Sequence, residues 1–274
     1  MNVRMDIHKI ASSVEAVAKG GLYTSCRYCG EETLSSGEMA ICTGCENILT
    51  YIKNAPAGVP DAQLQRAGEI LKYTASGDFR SAADQYSNSA SGAEEPQFIY
   101  AEALFYIRYS NHETGLISHE LHGFMEDNIS HRDAAAKLYS TAKLKLNKAI
   151  YQIGAERASG AKSILLDFTE FLSHIKLGNV YEAKSLLDAI KAYGNEYVYR
   201  YALTSYAAQV SDFSGILANA EFFGSAENFS MSGLYYVLWA LFKTERKKDA
   251  RVLAEVLHKY MKSESLETLI PLIK

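Results

Sequence analysis

After Cys45 the chain runs for 229 residues without another cysteine. A disulfide framework through the body is thereby excluded. Proline is almost as scarce, standing only at positions 56, 60, 96 and 271, so most of the chain lacks the commonest helix breaker. Long apolar runs are missing as well. The most hydrophobic stretch, GLYYVLWALF at residues 233 to 242, covers ten residues where a bilayer needs about 20, and it reads as a buried helix. No signal peptide is evident: Ile7, Ile10, Val14 and Val17 recur at helical spacing but are interrupted by Asp6, His8, Lys9 and Glu15. Charge is close to balanced, 28 basic against 32 acidic side chains, which gives the chain as a whole no bias toward nucleic acid or anionic membrane. Catalytic signatures are absent too, with no Gly-x-x-x-x-Gly-Lys loop, no Gly-x-Ser-x-Gly elbow and no Gly-x-Gly-x-x-Gly after a strand. These absences predict a soluble, cytoplasmic protein that is not an enzyme and does not enter membranes.

What is present begins with CRYCGEETLSSGEMAICTGC, residues 26 to 45, which holds all four cysteines in two Cys-x-x-Cys pairs. Each pair puts two thiolates on one side of a tight turn. Two such turns facing each other supply the four soft ligands that tetrahedral zinc prefers, so Cys26, Cys29, Cys42 and Cys45 are the expected metal ligands. Gly30 and Gly44 suit turns of this kind, and the intervening residues suggest a hairpin around Ser35, Ser36 and Gly37. Beyond Cys45, Ile48, Leu49 and Ile52 are spaced as on a helix, which would place the second pair at a helix start. Two disulfides would need an oxidising compartment, and a thioredoxin-like redox pair needs one such motif in a βαβ setting, so both are weaker readings. Four cysteines leave no open position for water, and one zinc ion held by them folds a module and does not catalyse. Over residues 22 to 53 the arrangement resembles a treble-clef or zinc-ribbon finger. With Arg27 against Glu31, Glu32, Glu38 and Glu46, this finger is acidic and is expected to repel nucleic acid.

The rest of the chain reads as helix after helix. Gly77-Asp78-Phe79-Arg80-Ser81-Ala82, with Tyr86 beyond it, is answered by Gly178-Asn179-Val180-Tyr181-Glu182-Ala183, where Asn179 and Glu182 have the form of a capping box. Ser211-Asp212-Phe213, with Ile216 at the alanine place, and Lys247-Lys248-Asp249-Ala250 are further copies. Ala183 to Ile216 is 33 residues and Ile216 to Ala250 is 34, while Ala82 to Ala183 is 101, close to three such periods. One long helix is expected from Ser130 to about Arg157. Over about residues 61 to 262 this pattern resembles the tetratricopeptide repeat (TPR), although the usual early tryptophan, leucine and glycine of each first helix are missing. The resemblance implies an all-α fold, a TPR-like antiparallel helical-pair array or α-solenoid, with peptide or protein binding on its concave side.

The expected organisation is an amphipathic helix in residues 1 to 21, a four-cysteine zinc module in 22 to 53, a linker in 54 to 61 and the helical array in 62 to 274. Tyr197 and Tyr201 share one side of their helix and Tyr199 and Tyr206 nearly the opposite one, so one pair is exposed unless that helix is covered twice. His119, Glu120 and His122, near His112, have the wrong spacing for a zinc-protease helix. Two basic stretches remain: Lys243, Arg246, Lys247, Lys248, Arg251, Lys259 and Lys262, and Lys137, Lys143, Lys145 and Lys148. The leading expectation is a non-enzymatic adaptor that binds another protein or peptide. The second is a factor that touches RNA or DNA through the basic C-terminal helices.

Overall fold

Ile7, Ile10, Val14 and Val17 close onto one buried stripe of the first helix, α1 (Ile7–Gly20), which begins where the Asp6 carboxylate accepts from the His8 and Lys9 amides. The computed structural model describes residues 5–36, 39–50, 61–88, 95–114, 133–261, 266 and 270–273. Four short strands follow α1: β1 (Leu22–Ser25), β2 (Glu32–Ser35), β3 (Met39–Ile41) and β4 (Ile48–Thr50). β1 pairs antiparallel with β2, Ser25 opposite Glu32, and β3 with β4, Ile41 opposite Ile48. Each cysteine pair therefore sits in the turn of its own hairpin.

Two expectations are corrected here. β2 and β3, the arms either side of Ser36, belong to different two-stranded sheets and do not form the expected hairpin with each other. After Cys45 comes a strand, not the expected helix, so the cysteine module is a ribbon of two hairpins. The cause is burial on both sides: Ile48 packs with the main helical core and its neighbour Leu49 with a second cluster around Phe98 and Phe105, and opposite-facing neighbours require a period of two. Ile52 lies outside the described residues.

The body is a succession of helical pairs. α2 (Asp61–Ala75) is followed by α3 (Phe79–Ser87), α4 (Pro96–Thr114) by α5 (Asp133–Ala158) and α6 (Ile164–Leu177) by α7 (Val180–Ala192). Next come α8 (Glu196–Gln209) with the short α9 (Phe213–Leu217) and α10 (Ala220–Phe223), then α11 (Met231–Lys243) with α12 (Lys247–Met261). The long helix expected from about Ser130 to Arg157 corresponds to α5, and Pro96 occupies the first turn of α4, where its missing N–H costs nothing.

The repeated turn is a repeated backbone geometry. Gly77, Gly178, Ser211 and Glu245 are all left-handed, with φ of 75, 77, 57 and 57°. The next amide in each case, of Asp78, Asn179, Asp212 and Arg246, donates to the carbonyl five residues back, at 2.9, 2.9, 2.7 and 3.0 Å. Five residues past each left-handed position stand Ala82, Ala183, Ile216 and Ala250, each fully buried. Asp78 and Asp212 cap the helices they open. Asn179 makes no side-chain cap, which corrects the capping box: its amide turns back and donates to His174 Nδ1 at 3.2 Å.

α11 is buried from Met231 through Leu241, as its apolar run requires. α8 is covered twice. Tyr201 faces the ribbon, while Tyr197, Tyr199 and Tyr206 are partly buried against the core. α1 returns the N-terminus to the far end of the array, packing on α12, with Lys259 donating to Glu15 at 3.0 Å. Among the described residues no helix is long and apolar enough to cross a membrane.

Candidate metal centre

The two hairpin turns are built alike. Cys26 N–H donates to Glu31 O and Cys42 N–H to Asn47 O, while the Gly30 and Glu46 amides return to Cys26 O and Cys42 O, all at 2.8 to 2.9 Å. Facing turns of one shape bring four sulfurs together. Cys26 Sγ lies 3.5 Å from Cys45 Sγ and Cys29 Sγ 3.6 Å from Cys42 Sγ, and all four lie within 4.8 Å of one another. Ligands about 2.3 Å from a tetrahedral metal are about 3.8 Å apart, so the donor set fits such an ion and can hold it. The thiols are free, and three of the four are wholly buried.

Electrostatics point the same way. Burial opposes a charge on Cys26, but hydrogen bonds from Cys29, Cys42 and Cys45 hold its thiol well below the usual value. The same sharing with Cys26 pushes Cys29 well up, and burial, then Cys26, pushes Cys45 up. A cation is what lets all the sulfurs ionise together. Cys29 is the ligand nearest solvent, at the foot of a cleft between the ribbon, α2 and α4 lined by Glu31, Thr74, Tyr86 and Arg108.

Of the two glycines, only Gly30 has positive φ, at 81°. Gly44 is needed for space, since a Cβ there would lie 2.9 Å from Glu31 Cβ and 3.2 Å from Cys29 Sγ. The residue matching Gly30 in the second turn is Glu46, at φ 55°. Its side chain does what the sequence did not suggest. One carboxylate oxygen accepts from Tyr201 at 2.9 Å and Tyr236 at 3.0 Å, and the other from Tyr100 at 3.1 Å and Lys176 Nζ at 3.0 Å. Glu46 and Lys176 are 12% and 11% exposed, so this is an interior ion pair. Burial works against the Glu46 charge, but Lys176 and the phenols outweigh it and hold the carboxyl below its ordinary value. Burial, followed by the Glu46 charge, pushes the Tyr100, Tyr201 and Tyr236 hydroxyls up, which keeps them as donors.

Tyr100, Lys176, Tyr201 and Tyr236 lie on α4, α6, α8 and α11, the first helices of four successive pairs. Other contacts follow suit: Asn47 Nδ2 donates to Gln97 O on α4 at 3.0 Å, Ser232 on α11 donates to Ile41 O at 2.8 Å, and Gly30 abuts the α2 backbone at Ala67. The ribbon thus lies against the first helices of successive pairs. The one sequence signal for this was that glutamate stands where the first turn has glycine.

Much of the basic surface is engaged. Arg246 pairs with Asp249, Arg251 with Glu255, Lys259 with Glu15 and Lys145 with the buried Glu102, while Lys243, Lys247 and Lys248 are exposed. His112 packs on the Phe79 ring at 4.5 Å; His119, Glu120, His122 and Lys262 lie outside the described residues. Comparison with protein-family models, with curated proteins and with solved structures finds no match for this chain.

Proposed function

We propose that this chain is a non-enzymatic adaptor in which one structural zinc ion, held by Cys26, Cys29, Cys42 and Cys45, folds a ribbon onto a TPR-like array that binds another protein or peptide. Four thiolates suit zinc among the common metals and leave no coordination position for a reacting water. Free thiols kept for a metal fit a reducing compartment such as the cytoplasm. The observation that carries the adaptor reading is large apolar side chains left outside on the second helices. Leu144 and Tyr151 on α5 are 71% and 78% exposed and Tyr181 on α7 is 87% exposed, while the first helices are turned to the ribbon. Aromatic groups standing free on a rigid helical scaffold are suitable anchors for a protein partner.

Affinity capture with the purified full chain tests this. A protein partner is expected whose retention survives nuclease and falls at least tenfold with the triple change Leu144→Ala, Tyr151→Ala and Tyr181→Ala. Nucleic acid as the sole specific catch, lost steeply as salt rises, would favour the second reading. That reading rests on Lys243, Lys247 and Lys248, because Arg246, Arg251 and Lys259 are paired within the chain.

A further inference from the structure

We propose that the ribbon is a metal-dependent gate over the first-helix face of the array, and that Glu46 and Asn47, the two residues after the last cysteine, couple the metal centre to the helices. This rests on the metal reading above. Asn47 is 2% exposed, and its amide nitrogen meets two acceptors at once, Cys45 Sγ at 3.3 Å and Gln97 O on α4 at 3.0 Å. One side chain therefore touches both a ligand sulfur and the array, the kind of outer-sphere contact that orients metal ligands. Beside it, Glu46 holds a left-handed backbone that a non-glycine residue adopts only under strain. The turn's hydrogen bond from Glu46 N–H to Cys42 O maintains that conformation, and from it the carboxylate reaches Lys176 and the three tyrosines.

The glycine in the corresponding place of the first turn shows that this turn forms without a side chain there. What the glutamate adds is the tie to α4, α6, α8 and α11. A four-cysteine module of this size is expected to lose its turns when its metal is removed. Glu46 then no longer arrives at its site, Lys176 and the three phenols lose their common acceptor, and the first-helix face opens. In this arrangement the face would be presented by the metal-depleted chain and withheld by the loaded one.

The test is hydrogen exchange of the full chain, read peptide by peptide by mass spectrometry, with bound metal measured on each sample. Chelation of the wild type should speed exchange in α6, α8 and α11 at least tenfold, and added Zn2+ should reverse it. Glu46→Gln should keep its metal yet show that faster exchange before any chelator is added, whereas Glu32→Gln, at an exposed position of the same ribbon, should match the wild type. Should Glu46→Gln fail to fold, Tyr236→Phe removes one donor and should give an intermediate, about threefold, acceleration in α8 and α11. Unchanged protection of α6, α8 and α11 in the chelated wild type, or wild-type exchange in loaded Glu46→Gln or Tyr236→Phe, would overturn the coupling. Absence of bound metal from freshly purified protein whose thiols are free would instead overturn the metal reading beneath it.

Discussion

Lys176 is worth its position only while Glu46 is opposite it. Both are almost wholly enclosed, and an ion pair of this kind contributes little over an apolar replacement, yet losing one partner strands the other charge in the interior. Lys176→Met is expected to cost about 3–5 kcal/mol at neutral pH, and the double change Lys176→Met with Glu46→Gln to recover most of it. Denaturant titration of the two singles and the double measures this; additive losses would show that the two side chains act independently. The glycines make a second residue-level comparison, because Gly30 and Gly77 have nearly the same φ, 81 and 75°, in different surroundings. A Cβ at Gly77 meets nothing within 4 Å, so Gly77→Ala should cost only the backbone strain, about 1 kcal/mol. At Gly30 the same atom would lie 2.2 Å from Ala67 O, and α2 would have to withdraw from the ribbon. Gly30→Ala should therefore cost at least about 3 kcal/mol, and equal losses at the two sites would refute the account of why Gly30 is glycine.

At the scale of the element, the four inter-helix turns share one geometry but not one residue. Two use glycine at the left-handed position and two use Ser211 and Glu245. Ser211→Gly and Glu245→Gly relieve a strained φ and should each raise stability by about 0.5–1 kcal/mol, seen as a higher melting temperature. The α6–α7 turn carries a pH dependence of its own. Burial lowers the His174 pKa below its ordinary 6.5, outweighing the carboxylates of Glu170 and Glu182, and the Asn179 amide donates to a ring nitrogen that must be unprotonated to accept. The unfolded chain takes up this proton first, so His174 subtracts stability as pH falls from about 6.5 toward its lower folded value. His174→Gln should flatten that part of the stability–pH curve; an unchanged slope would remove His174 as its source. These turns were legible in the sequence because the left-handed residue, the polar residue after it and the buried Ala or Ile beyond are demands made within six positions. Four cysteines were legible for the same reason of closeness. The strand after Cys45 was not, since Ile48, Leu49 and Ile52 fit either period and the surfaces that bury Ile48 and Leu49 on opposite sides arrive from helices far along the chain. Glu46 read as one more surface acid, because nothing near it in sequence announces a lysine 130 positions away.

Taken whole, the molecule departs from a simple stack of repeats. In such a stack each pair touches only its neighbours, and unfolding can begin at any weak pair and spread stepwise. Here the ribbon contacts the first helices of pairs from α2 to α11, while α1 crosses to the last pair and packs on α12. These ties span the array from the chain's N-terminal segment, and they make distant pairs depend on one folded object. The loaded protein should therefore unfold in one step. Trp239, the single tryptophan, stands in α11 against Phe213 and reports the C-terminal pairs, whereas far-ultraviolet ellipticity reports helix throughout. In denaturant the two signals should give coincident transitions for the metal-loaded chain. After chelation the ribbon no longer joins the pairs, and the transitions should separate and broaden, with a smaller apparent m-value for each. Non-coincident transitions in the loaded protein would mean that the pairs unfold as neighbours do in an ordinary solenoid, and that the ribbon rests on the array without holding it together.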